Sequence, residues 1–156
     1  MLFIAITAYA LAMVVANLAV SVFGPAVTPL NSFLLIGLDL ALRDWLQVRL
    51  RFWQMTSLVL AAGALTYGLN PAVGGIAVAS AASFLLAAFV DWGVFVRARG
   101  SWLWRSMSSN IAGAAVDSVV FPTLAFGVLM PQIVALQFAT KAVGGSAWAW
   151  VFSRIK

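Results

Sequence analysis

The chain has 156 residues, of which 64% are hydrophobic and 8% are charged, and its mean hydropathy is +1.06. Soluble domains contain about 45–50% apolar and about 25% charged residues, so this composition excludes an ordinary soluble protein and predicts an integral membrane protein. The chain has no Cys and no His. That excludes a disulfide framework and removes the commonest metal ligands, so we expect no metal and no other cofactor.

Six apolar stretches follow one another along the sequence, separated by short polar segments. We predict membrane-spanning helices at 2–23, 30–45, 52–69, 72–96, 107–130 and 132–152, each near the roughly 17–25 residues that a bilayer requires. Pro25, Pro71 and Pro131 lie between these helices, where a missing N–H does least harm. The predicted fold is therefore an all-α integral membrane protein, a single six-helix transmembrane domain over residues 1–156.

The basic residues indicate how this bundle is oriented. Eight of the nine lie on one predicted side of the membrane: Arg43, Arg49, Arg51, Arg97, Arg99, Arg105, Arg154 and Lys156. Because cytoplasmic loops carry an excess of Lys and Arg, both termini are predicted to be cytoplasmic. The net charge of +5 is then a topology signal, and no basic face indicates nucleic acid binding. We predict a multi-pass protein of the cell membrane, the bacterial inner membrane.

A small set of polar and ionisable residues inside the membrane is the most informative. They are Asn17, Asp39, Arg43, Asp117, Gln137 and Lys141. A charged side chain at the centre of a membrane helix costs about 2.5–3.5 kcal/mol on insertion scales, so such residues usually face the bundle interior and mark a transport path or a ligand site. At about 1.5 Å of rise per residue, Asp39, Asp117 and Lys141 are all predicted near the middle of the bilayer.

The fifth predicted span carries the clearest pattern for a ligand site. Asn110, Asp117 and Phe121 are spaced seven and four residues apart, which puts an amide, a carboxylate and an aromatic ring on one helical face. These groups suit a flat heterocycle, because the carboxylate accepts hydrogen bonds from ring N–H and amino donors while the aromatic ring stacks. The alternative is a buried ion pair between Asp117 and Lys141 that ties two helices together.

The second predicted span contains Asp39 and Arg43, four residues apart in the better orientation for an intrahelical ion pair. We expect mainly a structural pair, with Arg43 extending to the cytoplasmic surface. A place for Asp39 in the ligand site is the alternative. Asp44 and Asp91 lie near the inner interface and are predicted to be solvated.

Two amides complete the candidate site. Asn17 either makes an interhelical hydrogen bond or contacts a ligand. Gln137 lies one turn before Lys141 and either binds the ligand or orients the lysine.

A stripe of small residues runs along the first span. Ala8, Ala12 and Ala16 repeat every four residues, a spacing that permits close helix approach. It predicts either internal packing or a docking face for a second copy of the chain or an energising membrane subunit.

The sequence contains no catalytic motif. It has no phosphate-binding loop, no paired metal ligands and no couple of nucleophile and base at a recognisable spacing. We therefore expect a protein that is not an enzyme.

The segment WRSMSSNIAGAAVDSVVFPTLAF, Trp104 to Phe126, resembles the signature of the queuosine-precursor transporter family, also called the vitamin-uptake-transporter-like family. The second span, with LDLALR, resembles the acid-then-arginine helix of the same family. The matching positions are Asp39, Arg43, Arg105, Ser109, Asn110, Asp117 and Phe121. The resemblance implies six helices and uptake of 7-cyano-7-deazaguanine, a guanine-like base salvaged for modified nucleosides.

The predicted function is import of a small purine-like base, with the deazapurine and the lipid bilayer as partners. Because the sequence contains no ATPase motif, the energy would come from a gradient, from metabolic trapping or from a separate module. Two alternatives stay open at this point. One is the substrate-binding subunit of a vitamin transporter energised by a separate ATPase module, and the other is a non-transporting assembly or pore subunit.

Overall fold

The computed structural model describes residues 2–69, 71 and 74–154, leaving aside the side chain of Pro25. Lys156 and the first two residues of the predicted span 72–96 lie outside the described residues. The elements are α1 (Leu2–Phe23), a 3₁₀ turn (Gly24–Val27), α2 (Thr28–Asn31), a π-helical segment (Ser32–Ile36), α3 (Gly37–Gln47), α4 (Phe52–Leu69), α5 (Gly74–Arg97), α6 (Trp102–Phe126) and α7 (Pro131–Arg154). The prediction of an all-α fold is confirmed over this part of the chain.

The elements α2, the π segment and α3 form one helical rod. The residues at the two junctions, Asn31, Ser32, Ile36 and Gly37, all keep right-handed helical backbone angles. The described helices therefore make six rods that follow the chain in the order of the six predicted spans.

The bounds predicted for the fifth span are wrong at both ends, because α6 runs from Trp102 to Phe126 and not from 107 to 130. Ser101 begins the helix, since its Oγ accepts a hydrogen bond from the Trp104 N–H at 3.3 Å. Gly127 ends it, since its φ of +72° lies in the left-handed region that glycine adopts readily. A prediction of the span from hydropathy alone does not detect these two capping residues.

α6 packs along both α5 and α7, and α7 in turn packs against α3 and the π segment. The closest approach joins α7 to the π segment. A Cβ atom added to Gly144 would lie 2.3 Å from the carbonyl oxygen of Phe33, and one added to Gly37 would lie 2.7 Å from the backbone of Gly144. Only glycine allows the two backbones to come this close.

The distribution of polar and apolar side chains is the reverse of that in a soluble protein. Phe3, Val22 and Trp53 are 79%, 72% and 75% exposed, whereas Asp39 and Asp117 are buried. Three of the described helices, α1, α5 and α6, are long and apolar enough to cross a membrane. An apolar exterior around buried charges suits lipid on the outside, and the chain is a membrane protein.

The stripe of small residues on α1 packs inside the chain. Ala12 and Ala16 are buried and Ala8 is half-buried. A docking face built on these residues is therefore already covered by the chain's own helices. A partner subunit as such stays a prediction.

Candidate functional site

A buried polar cavity lies between α1, the segment 28–36 and the helices α5, α6 and α7. Its polar lining is Asn17, Thr28, Asn31, Ser32, Ser80, Asp117, Gln137 and Lys141, and its apolar lining is Ala16, Val20, Ile36, Phe84 and Phe121. We call it the Asp117 cavity. It brings together five of the predicted site residues: Asn17, Asp117, Phe121, Gln137 and Lys141.

An ion pair between Lys141 and Asp117 lines this cavity. The Nζ atom of Lys141 lies 2.7 Å from Oδ2 of Asp117 and donates a hydrogen bond of 2.8 Å to Oε1 of Gln137. The hydroxyl of Ser83 donates to Oδ1 of Asp117. The ion pair expected as the alternative to a ligand site is thus present, and both oxygens of Asp117 have a partner in this conformation.

Two amide groups face the cavity with free hydrogen-bond donors. Nδ2 of Asn17 and Nε2 of Gln137 are buried and have no hydrogen-bond partner among the described residues. Gln137 therefore orients Lys141 through its oxygen and keeps its N–H donors free. A buried donor without a partner costs roughly 1–3 kcal/mol, so a ligand carrying carbonyl or ring-nitrogen acceptors would recover that loss.

Two aromatic rings, Phe84 and Phe121, complete the lining. Both are buried, with 3% and 8% of their surface exposed. The combination of rings, free amide donors and a charged pair can bind a flat heterocycle that carries both donors and acceptors.

The cavity is contracted in this conformation. Its free volume is about 20 Å³, which is enough for roughly one water molecule. A bicyclic base therefore enters only after the lining helices or side chains separate. The π segment supplies Ser32 and Ile36 to the lining, and π-helical turns of this kind often occur at functional sites.

A second set of buried polar residues lies closer to the N-terminal end of α6 than Asp117 does, and we call it the acid cluster. Its charged members are Asp39, Arg43, Asp44 and Asp91, and its polar members are Ser106, Ser109 and Asn110. The predicted pair is present, with Nη2 of Arg43 3.4 Å from Oδ2 of Asp39. The prediction that Arg43 reaches the cytoplasmic surface is wrong, since its side chain is only 2% exposed.

The prediction that Asp44 and Asp91 are solvated is also wrong. Both residues are fully buried, because the bundle closes over this end of α3 and α5. Asp44 accepts hydrogen bonds from Gln47 at 2.8 Å, from Ser109 at 3.4 Å and from Ser106. Asp91 accepts none from the described residues.

Asn110 belongs to the acid cluster and does not line the Asp117 cavity. Its Nδ2 donates to Oγ of Ser106 at 3.4 Å, and its Oδ1 is buried without a hydrogen-bond partner among the described residues. The spacing of seven residues between Asn110 and Asp117 corresponds to about 10 Å along a helix. The helical face that sequence reasoning treated as one site therefore serves two separate groups.

Sequence reasoning missed several residues that shape the cavity, among them Asn31, Ser83 and Phe84. Asn31 donates from Nδ2 to the carbonyl oxygen of Ala16 at 3.0 Å, Ser83 contacts Asp117, and Phe84 lines the wall. Ser80 and Ser83 are polar residues one turn apart in an apolar span, which is the signal that could have found them. Asn31 lies at the edge of a predicted span, among turn-forming residues, so its position in the sequence did not indicate a place in the cavity.

Comparison with known protein families gives a match over nearly the whole chain. The model of the family described as "Putative vitamin uptake transporter" covers residues 1–155. No curated protein and no solved structure matches the chain. A match over nearly the whole length, on a membrane protein with a buried polar cavity, shows that the chain belongs to this family of vitamin uptake transporters.

Proposed function

We propose that the protein imports a purine-like base, 7-cyano-7-deazaguanine, across the bacterial inner membrane, and that the Asp117 cavity binds it. The observation that carries this proposal is a buried cavity lined by a carboxylate paired with a lysine, by two free amide donors and by two aromatic rings. Membership of a transporter family supports the reaction class. The resemblance at Asp117 and Phe121 supports the choice of base.

The chemistry of a deazaguanine matches this lining. Its amino group and ring N–H are adjacent donors that a carboxylate accepts together, and its carbonyl and nitrile groups are acceptors for the amides of Asn17 and Gln137. When the base binds, Asp117 exchanges its contacts with Lys141 and Ser83 for contacts with the base. Lys141 then keeps Gln137 as a partner, which limits the cost of parting the ion pair.

We propose that all six rods cross the membrane and that both termini are cytoplasmic. The one-sided distribution of Arg residues supports this orientation. So do two contacts at predicted cytoplasmic helix ends, where the guanidinium of Arg49 lies 3.6 Å from the ring centre of Trp45 and that of Arg154 lies 4.9 Å from the ring centre of Trp150. Tryptophan and arginine are typical of the membrane interface. In this orientation the Asp117 cavity lies in the outer half of the bundle and the acid cluster in the cytoplasmic half.

Uptake of labelled 7-cyano-7-deazaguanine tests the proposal. Cells that cannot synthesise this base should accumulate label only when they express the protein, and an Asp117→Ala variant with equal membrane expression should abolish the accumulation. No difference between expressing and non-expressing cells at adequate expression would overturn the proposed function.

The family description favours a second candidate cargo, a vitamin. The same cavity would bind it, with or without a separate energising module. Uptake assays with labelled vitamins separate the two. Uptake of a labelled vitamin that depends on expression of the protein, without such uptake of labelled 7-cyano-7-deazaguanine, would select the vitamin.

A further inference from the structure

The acid cluster contains more negative than positive charge. Its three carboxyl groups are those of Asp39, Asp44 and Asp91, and its one cation is Arg43. Among the described residues, Arg43 donates its hydrogen bond to Asp39. The other buried cation, Lys141, pairs with Asp117. Arg43 also attracts the nearby carboxyl group of Asp91, so in the described part of the chain the three carboxyl groups of the cluster share one cation, which cannot neutralise Asp44 and Asp91 together.

The neighbouring elements do not supply a further cation. From α1 the cluster is faced by the hydroxyl of Tyr9, which is buried and has no hydrogen-bond partner among the described residues. α4 contains no charged residue. From α6 the cluster receives the neutral side chains of Ser106, Ser109 and Asn110.

Asp44 and Asp91 pack on adjacent turns of one face of α6, since Ser109 contacts Asp44 at 3.4 Å and Gly113, four residues later, contacts Asp91, so their carboxyl groups are close enough to interact. Asp91 packs on α6 at Gly113, where an added Cβ would lie 3.6 Å from Oδ1 of Asp91. Both residues are fully buried. Two adjacent carboxylates buried in this way do not both stay ionised, because each disfavours the charge on the other. A proton held between them removes the repulsion.

We propose that Asp44 and Asp91 form a proton-binding site, in which one proton is held between the two carboxyl groups and moves with the transported base. Asp44 accepts hydrogen bonds from the side chains of Gln47 and Ser106 and lies beside Asp91, so the proton is bound by one of the two carboxyl groups and donated to the other. The proton leaves to cytoplasmic water when the inner ends of the helices part, and the pair takes up a new proton from the external side before the next cycle.

An observation independent of the carboxyl pair also points to a ligand at this place. Oδ1 of Asn110 is fully buried and has no hydrogen-bond donor among the described residues, while its Nδ2 is bonded to the same Ser106 that contacts Asp44. This oxygen can accept a hydrogen bond from a water molecule that carries the proton to or from the pair. A metal ion fits less well, because donors surround Asp44 and no group of three metal-ligating side chains occurs in the described part of the chain.

Infrared difference spectroscopy of the purified protein tests the site without any base. Spectra recorded at neutral and alkaline pH should show the carbonyl band of a protonated carboxylic acid in wild type, and the band should be lost in Asp91→Asn and in Asp44→Asn. Asp91→Asn keeps an N–H donor towards Asp44, so this variant should stay folded if the other does not. Asp117→Asn is the matched control, because Asp117 is a buried carboxylate outside the acid cluster that pairs with Lys141, and its removal should leave the band. A band that is missing in wild type, that persists in Asp91→Asn, or that disappears in Asp117→Asn would overturn the proposal.

The coupling step rests on the proposed function and has its own test. Proteoliposomes with an acidic exterior should concentrate the labelled base several-fold with wild type, whereas Asp91→Asn should bring the base only to equal concentrations on the two sides. Concentration by Asp91→Asn equal to wild type, or concentration driven by sodium without a pH gradient, would overturn the coupling. Neither binding nor entry of the base with wild type would overturn the proposed function, and the infrared result would still decide the proton site.

Discussion

Asp117 has a double part in the structure, because one of its oxygens pairs with Lys141 at 2.7 Å and the other accepts from Ser83. We expect Asp117→Asn to weaken base binding by roughly ten- to over a hundredfold. The reason is the loss of charge-assisted hydrogen bonds worth roughly 1.5–3 kcal/mol, since about 1.4 kcal/mol is tenfold in affinity. The measurement is the thermal stabilisation of the purified variant by added base.

The double variant Asp117→Asn with Lys141→Met is the control for this experiment. It removes the orphaned lysine, so its stability without ligand should exceed that of the single variant, while binding of the base should stay weak. Equal stabilisation of wild type and Asp117→Asn by the base would show that Asp117 does not bind the base.

The buried pair of Asp39 and Arg43 predicts that the effects of substituting these two residues on the free energy of unfolding are not additive. Arg43 is 2% exposed and its Nε and Nη1 have no hydrogen-bond partner among the described residues. Asp39→Asn should therefore lower the free energy of unfolding by about 3–5 kcal/mol, because an unpaired charge stays buried. Adding Arg43→Gln should restore part of it, as measured by thermal denaturation in detergent. Stability losses that simply add in the double variant would contradict the pair.

At the scale of elements, the contact of α7 with the π segment holds the helices that line the Asp117 cavity. Gly144→Ala puts a Cβ 2.3 Å from the Phe33 carbonyl oxygen, so the two backbones must separate. We expect a loss of about 1–3 kcal/mol from overpacking, together with weaker base binding, because Ser32 of the π segment would move.

The matched control is Gly68→Ala in α4, where an added Cβ has no neighbour within 4 Å. This change should be neutral or stabilise by up to about 1 kcal/mol, since alanine is the better helix former. Thermal denaturation of both variants in the same detergent provides the measurement. An equal loss of stability in the two would mean that the close crossing does not explain the effect.

At the scale of the whole molecule, the one-sided basic residues predict the membrane orientation. Reporter fusions at the C-terminus and in the loop 97–106 should read cytoplasmic, and fusions near Pro25, Pro71 and Pro131 should read external. The comparison is made at matched expression of each fusion. A cytoplasmic signal at Pro71 would contradict six crossings.

The sequence by itself determined the membrane class, the number of helical rods and the local pair of Asp39 and Arg43. These features depend on composition and on spacings of a few residues, which hydropathy and the helical period encode directly. The meeting of Asp117 with Lys141 was also foreseen as an alternative, because a membrane interior forces isolated charges to find each other.

Only the tertiary structure decided which of these groups share a site. Burial of Asp44 depends on Ser106, a hydrogen-bond partner 62 residues away in the chain, and the close crossing of Gly144 depends on Phe33. The period of a helix sets the face on which a side chain lies, but the partner on that face comes from another helix. That is why Asn110 and Asp117, on one face of α6, serve two different groups: different helices pack against the two ends of that face.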